Sequence, residues 1–312
     1  MAMFDITLAG EINLDLILYG LPEQMPTERE LLASNFTITL GSSSAILAHN
    51  MAALGSRVGF VTKVGRDSFG TLAIERLREG GVDLARVTHG AKSGVTIILP
   101  HGSQRHILTY PGTISELRFE DLDLDYLASA RHFHMSSLFL QHELLRHVPE
   151  LFCRMKSAGL TTSLDTNDDP DDRWDSALEE TLPHVDILLP NKHEAMRMSR
   201  ADDVETALSR LAQKVETVVV KMGASGAIAI RDGRRFSAPA VPVTVIDPIG
   251  AGDSFDAGFL HQFLRGADLT TCLEYGNLCG AFSTTDCGGT EAFRDATRMQ
   301  EFLRRRDAMN QA

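Results

Sequence analysis

The run Val243-Thr-Val-Ile-Asp-Pro-Ile-Gly-Ala-Gly-Asp-Ser-Phe-Asp-Ala-Gly258 sets three small residues, Gly250, Ala251 and Gly252, at the start of a predicted helix and follows them with a carboxylate, Asp253. The first backbone N–H groups of a helix have no partner within it, and the positive end of the helix dipole lies there. Small side chains let a phosphate approach that backbone closely, so the turn is an anion cradle. Asp253 has two readings: it complements the helix dipole, or it acts as a general base. In the second reading it takes the proton of an attacking hydroxyl while the cradle holds phosphoryl charge. No Gly-x-x-x-x-Gly-Lys-[Ser/Thr] run occurs, which excludes a P-loop site.

The elements that must position this turn follow from hydrophobic patterning. Apolar runs of strand length at Phe4–Ala9, Arg57–Val64, Arg131–Met135, Thr161–Leu164, Val185–Leu189 and Thr217–Lys221 alternate with amphipathic stretches such as Ser44–Leu54 and Ser68–Glu79. Repeated strand–helix units imply a parallel sheet covered by helices on both faces. Leu14–Tyr19, Phe36–Leu40, Val95–Leu99 and His106–Tyr110 lack intervening helices, and Pro100–Ser103 reads as a turn. They are expected to form a small antiparallel sheet projecting from the main one. Its apolar face must cover a site or meet a partner. Ala227–Ile230 and Arg234–Ser237 around Asp232-Gly233 read as a hairpin.

Composition narrows the function classes. The 312 residues include 30 Lys+Arg against 42 Asp+Glu, a net charge of −12, which argues against sequence-independent nucleic-acid binding. With 43% hydrophobic and 23% charged residues the chain reads as an ordinary soluble protein, and no apolar stretch approaches a membrane span. Cys153, Cys272, Cys279 and Cys287 show no Cys-x-x-Cys spacing, so neither a zinc site nor a redox pair is expected, and reduced thiols in the cytoplasm fit best.

The stretch ending at Asp253 resembles the C-terminal signature Asp-Thr-x-Gly-Ala-Gly-Asp of the ribokinase (PfkB-type) carbohydrate kinases, with Pro248 in place of Thr. The resemblance runs from about Phe4 to about Phe302. It implies one kinase domain over 1–312: a three-layer α/β/α sandwich with a mostly parallel sheet. A β lid would come from about 12–19, 35–40, 94–99 and 105–110. It also implies ATP with Mg2+, a small sugar or sugar derivative as acceptor, no membrane or nucleic-acid partner, and a homodimer formed through the lid.

The same resemblance implies roles for residues that match. Ala9-Gly10-Glu11-Ile12-Asn13-Leu14-Asp15 is similar to the first-strand motif whose Asn and Asp lie at the sugar site, so Asn13 and Asp15 would bind substrate. Leu40-Gly41-Ser42-Ser43-Ser44-Ala45-Ile46 resembles the N-terminal signature, but Ser42 replaces a second Gly and Ile46 replaces the Asn that donates to a sugar hydroxyl. Gly41, Ser42 and Ser43 are carried over as substrate contacts; Ser42 or Ser43 also suits a helix N-cap. Arg105, in Gly102-x-x-Arg105, either reaches the substrate or is a solvated edge charge. Asn191 and Glu194 match Asn-x-x-Glu, which is also an ordinary capping pair; the resemblance implies that Asn191 lies at the nucleotide and that Glu194 helps place Mg2+ through water. Lys221, Gly223 and Gly226 resemble the strand-turn at the nucleotide phosphates, and Asn277 the polar contact beside adenine. Thr285–Thr290, with carbonyls near Asp247 and Ile249, resembles a monovalent-cation loop; Ala292 replaces its downstream Ser, which argues against potassium activation.

Other matches have plainer readings. Asp67 is expected to cap the helix after it and Trp174 to pack. His132 and His134 share a strand face without a third ligand, so they read as structural histidines. Three functions compete: a sugar kinase, with Gly250–Gly252 as anion hole and Asp253 as base; a nucleoside or vitamin kinase on the same fold, which Ile46 leaves room for; and a non-catalytic ligand-binding relative, since a fold does not guarantee activity.

Overall fold

The computed structural model describes residues 2–101, 104–174 and 176–309; Gly102 and Ser103 of the predicted lid turn lie outside the described residues. Among the described residues thirteen strands run in chain order: β1 Phe4–Gly10, β2 Asn13–Tyr19, β3 Asn35–Gly41, β4 Val58–Gly65, β5 Asp83–Gly90, β6 Gly94–His101, β7 Gln104–Tyr110, β8 Ala130–Ser136, β9 Thr161–Asp165, β10 Ile187–Leu188, β11 Thr217–Lys221, β12 Ala227–Arg231 and β13 Arg234–Ala238. Nine form the main sheet in the order β13-β12-β11-β10-β9-β8-β1-β4-β5. It is parallel from β11 through β5, and the β12–β13 hairpin adds an antiparallel edge.

Period-2 alternation explains the two core layers. On β11, Val218 and Val220 join a cluster with Phe133, Phe152 and Leu208 on one face, while Val219 joins Ile6, Phe60, Leu47 and Phe259 on the other. Helices Val148–Ser157 and Val204–Leu211 cover the first face; Ser43–Ala53, Ser68–Glu79, Ala251–Leu264 and Leu269–Ser283 cover the second. The strand order reverses at β1, whose neighbours are β4 and β8. In such sheets ligands bind beyond the carboxyl ends of the strands at the reversal. Gly10, Ser136, Asp165 and Lys221 are strand-terminal residues along that edge.

The expected three-layer sandwich and lid are present, with local differences. Strand β5 was not anticipated, because its alternating, half-exposed Asp83–Gly90 lacks a dense apolar run. Val185–Leu189 shortens to the two-residue β10. The lid has the order β3-β2-β6-β7; its β2–β3 and β6–β7 pairs are antiparallel, but β2 and β6 run parallel, joining two hairpin-like halves along a seam. Parallel pairing arises because β2 and β6 each leave the main sheet in the same direction. Asp67 caps its helix by accepting from Gly70 N at 2.8 Å, and Trp174 is buried against Phe139.

His132 and His134 are wholly buried and structural. His132 Nδ1 meets Thr161 Oγ1, His132 Nε2 and His134 Nδ1 both meet Ser163 Oγ, and His134 Nε2 meets Ser136 Oγ, each at 2.7 Å. Burial holds both imidazoles well below their usual pKa, hence neutral.

Gly226 closes the turn into β12 at φ +87°, and a Cβ there would lie 2.1 Å from the Ala238 carbonyl oxygen. Gly226→Ala is therefore expected to destabilise the protein by about 1–3 kcal/mol, from strain plus the forced shift of β13. Denaturant unfolding of the variant against the parent measures this.

Candidate active site

Helix Ala251–Leu264 begins at Gly250, which has φ +72° and no side-chain cap. A Cβ on Gly250 would stand 2.4 Å from Gly289 Cα, so the helix start is pressed directly against the Gly288-Gly289 loop. Asn50 fixes this contact: its Nδ2 donates to Ser254 Oγ and to the Gly289 carbonyl, both at 3.0 Å. Ile46 lies over the same glycines, its Cδ1 2.6 Å from the Cβ position of Gly289 and 3.3 Å from that of Gly250. The residue that departs from the family pattern thus packs the cradle from below as well as lining the cleft. Ala251 N donates to the Pro248 carbonyl at 3.3 Å, and the other N–H groups at the start of the helix are available to an anion.

A cleft of about 1030 Å³ opens beside this turn. Its lining includes Glu11, Asn13, Asp15, Ser42, Ser43, Arg105, Gly250 and Asp253, so the structure brings the predicted acceptor-side residues together. Gly41 sits behind them, where a Cβ would be 2.1 Å from Asp15 Oδ1 and 2.4 Å from Asn13 Oδ1; only glycine permits that packing. Asn13 is held by Thr96 Oγ1 at 2.7 Å and by Ser42 Oγ, which donates to its Oδ1 at 2.9 Å. Neither Ser42 nor Ser43 caps the helix as expected. Ser42 occupies the cap position with φ +68° and makes no capping bond, which explains the preference for a second glycine there. The helix start is instead held by Glu11, which accepts from Ser44 N at 3.2 Å and Ser44 Oγ at 2.6 Å.

Burial governs the charges. It raises Asp15 to about 7, with the Asp253 carboxylate adding to the effect. It raises Asp253 to about 6, with Asp165 adding and Lys221, Ser43 and Arg105 opposing. Glu11 and Glu194 are likewise raised to about 7, chiefly by burial. Arg105 is exposed on β7 and lines the cleft, where its charge favours ionised Asp15 and Asp253.

The donor-side residues are more dispersed. Asn191 and Glu194 form a full capping box: Asn191 Oδ1 accepts from Glu194 N at 3.0 Å, and Glu194 Oε2 accepts from Asn191 N at 2.8 Å. The buried Glu194 retains lone pairs for an ordered water, and no cluster of three metal-ligating side chains occurs among the described residues. A single carboxylate with waters fits Mg2+ bound chiefly through phosphates. Gly223 has φ +57° with open space at its Cβ position, which leaves room for a ligand. Three of the residues expected at the nucleotide have partners or constraints within the protein. Lys221 does not project freely toward a phosphate; its ammonium bridges Asp165 at 2.7 Å and Asp256 at 3.0 Å. Asn277 spends its amide on the Ala238 and Pro239 carbonyls, both at 3.0 Å, where it pins the end of β13. Gly226 is a turn-closing residue by its φ and its crowding.

The Asp247 side chain, in the segment whose carbonyls were expected near a cation, accepts from Ile249 N at 2.9 Å, Gly288 N at 3.0 Å and Tyr19 OH at 3.3 Å. It ties the lid and the Gly288 loop to the segment before the cradle. Ile249 packs with Ile17 and Ile98 of the lid. Sequence reasoning missed Glu11 and Asp256 as site residues. Each lies inside a motif already singled out, Glu11 directly after β1 and Asp256 one turn past Gly252, and each carries a charge that must find a partner when buried.

Residues 3–296 match the pfkB family carbohydrate kinase. A 5-dehydro-2-deoxygluconokinase of Clostridium perfringens is 26% identical over 97% of this chain and 93% of its own. A fructoselysine 6-kinase of Escherichia coli K12 is 32% identical over 77% of this chain and 88% of its own. An E. coli protein described as ribokinase II, crystallised with ATP and Mg2+, superposes with a TM-score of 0.85 at 25% identity, covering 97% of this chain and all (100%) of that one. The chain belongs to the pfkB family of carbohydrate kinases. It phosphorylates a hydroxyl of a sugar or sugar derivative at the expense of ATP.

Ser42→Gly and Ser42→Ala both remove the hydroxyl, and only the glycine relieves the backbone at φ +68°. The glycine variant is expected to be more stable than the alanine variant by about 1 kcal/mol. Paired urea titrations give the difference directly.

Proposed function

We propose that Asp253 is the general base of this kinase and that the Gly250–Gly252 amides receive the transferring phosphoryl group. The observation that supports this most is the shared cleft: Asp253, buried in the first helical turn beside an uncapped N-terminus, faces the same space as Asp15 and Asn13. A carboxylate raised to about 6 is ionised at neutral pH yet basic enough to share a proton with an alcohol in the transition state. Asp15, whose buried oxygens crowd Gly41, accepts hydrogen bonds from acceptor hydroxyls, and Ser42, Ser43 and Arg105 border it. Asn13 holds Ser42 and Thr96 in place around that site.

ATP would bind beside the cradle, where the open space at Gly223 would admit phosphate oxygens. Glu194 would hold Mg2+ through water, and the ion, when bound, neutralises phosphate charge. The chain's own part is to present free amides, exclude water around Asp253 and keep Asp15 desolvated until hydroxyl donors arrive.

The cleft is larger than a monosaccharide needs, since pockets of about 300–1,000 Å³ take drug-sized ligands. Relatives named for an acidic sugar and for a sugar–amino acid adduct favour an acceptor with a charged extension. Arg105 and Arg146 lie along the cleft without a carboxylate within ion-pair distance among the described residues. Initial rates on hexonates and amino-acid-linked ketoses should exceed those on neutral hexoses; faster turnover of a nucleoside would overturn the sugar reading. The exposed lid side chains Phe36, Ile107, Leu108 and Tyr110 suit a homodimer contact, and reduced cysteines suit the cytoplasm.

Asp253→Asn preserves shape and removes the base, so kcat should fall roughly 10²–10⁴-fold while the acceptor KM changes little. Steady-state kinetics on a folded variant check this, and turnover near the parent would overturn the assignment. Ionisation of Asp253 is required in the free enzyme, so the parent's kcat/KM should fall on the acid side with a midpoint near pH 6. A pH–rate profile with ATP saturating measures it.

A further inference from the structure

Asp165 ends β9, Lys221 ends β11, and Asp256 lies one helical turn beyond Gly252. Lys221 Nζ is 2.7 Å from Asp165 and 3.0 Å from Asp256, and both acidic side chains are 1% exposed. The ammonium also comes within 3.6 Å of the Cβ position of Gly252, directly beneath the anion cradle. A lone cation at a helix N-terminus is disfavoured by the dipole, so the acids must hold it there. Two ionised carboxylates around one ammonium would nevertheless leave a buried net negative charge beside a phosphate site. Asp256 Oδ1 is buried without a hydrogen-bond partner, which an ionised oxygen in a dry site does not tolerate.

We propose that Asp165 and Asp256 share one proton around Lys221, so that the triad is electroneutral and Lys221 acts as a fixed cation beneath the cradle, a positioning group for Asp253. This rests on Asp253 being the base. The ionisation pattern agrees. Burial is opposed at Asp165 by the Lys221 charge, leaving that carboxyl below its usual range, whereas burial holds Asp256 well above it. Burial disfavours the Lys221 charge, but Asp165, Asp256 and Glu194 outweigh it and keep Lys221 protonated. The groups that face Asp253 are Asp165 of β9, Lys221 of β11, Ser43 of the first long helix, Arg105 of β7 and Asp15 of β2. His134 of β8 faces the triad and is neutral.

Two variants test the proposal. Asp256→Asn is the neutral isostere of the protonated acid and should leave the acid midpoint of kcat/KM where it is in the parent. Lys221→Met strips the cation and should raise that midpoint by about one pH unit, the scale for losing a close opposite charge. A midpoint that falls by a similar amount in Asp256→Asn would show that Asp256 was ionised and overturn the proposal, as would an unmoved midpoint in a folded Lys221→Met. The infrared difference between the parent and Asp256→Asn at pH 8 needs neither catalysis nor a folded Lys221 variant. A protonated-carboxyl stretch present in the parent and lost in Asp256→Asn supports the shared proton, and its absence from the parent overturns it. If Asp253 were not the base, the infrared band would persist while the pH profile lost its dependence on Lys221.

Discussion

The close approach of Gly250 to Gly289 is the contact on which the rest of the site depends. A helix can present free amides only if nothing caps it and nothing fills the space before it. Here two backbones meet where a single Cβ would collide, and Asn50 fastens the contact by bonding both Ser254 and the Gly289 carbonyl. The Gly288 loop is in turn held by Asp247, by Thr39 of the lid through Thr290 and Glu291, and by Arg298 through Asp286. The anion cradle is thus built from sequence-distant segments, and its geometry is a property of the whole fold.

The second constraint is electrostatic. Six acidic side chains (Glu11, Asp15, Asp165, Glu194, Asp253 and Asp256) are buried around the site, and five of them are pushed toward neutrality. Asp165 is the exception because Lys221 sits against it. Such a site is poorly satisfied by itself. In the proposed reading, hydroxyl donors at Asp15 and an anion at the amides would each satisfy a group that is desolvated without them.

Much of this was legible in the sequence because chemistry and local structure coincide in short motifs. Gly250-Ala-Gly-Asp253 announces the helix start that the structure has there, and the order of Asp15, Gly41, Asn191, Glu194, Gly223 and Asp253 marks the family. What stayed hidden depends on contacts between distant segments. Lys221 reads as a phosphate ligand until Asp165 and Asp256 are seen to enclose it, and Asn277 reads as a base contact until β13 is found against it. Ser42 reads as a cap, yet its left-handed backbone turns the hydroxyl to Asn13 and leaves the cap to Glu11. Strand β5 was missed because a half-exposed edge lacks the apolar density that identifies buried parallel strands.

The ladder of His132, Ser163, His134 and Ser136 is buried within the sheet and does not line the cleft. Its significance is one of alignment. Successive side chains on a strand point to opposite faces, so sliding β8 past β9 by one residue would carry both imidazoles away from their hydroxyls and leave several polar atoms orphaned in an apolar interior. Purely aliphatic neighbours would tolerate such a slip far better. The polar ladder therefore works as a vernier: it sets the register of β9 against β8 and ends both strands at the same height, with Ser136 opposite Asp165. The height of Asp165, which holds Lys221 beneath the cradle, is thus set with the help of a row of uncharged histidines and hydroxyls two residues back along the strands.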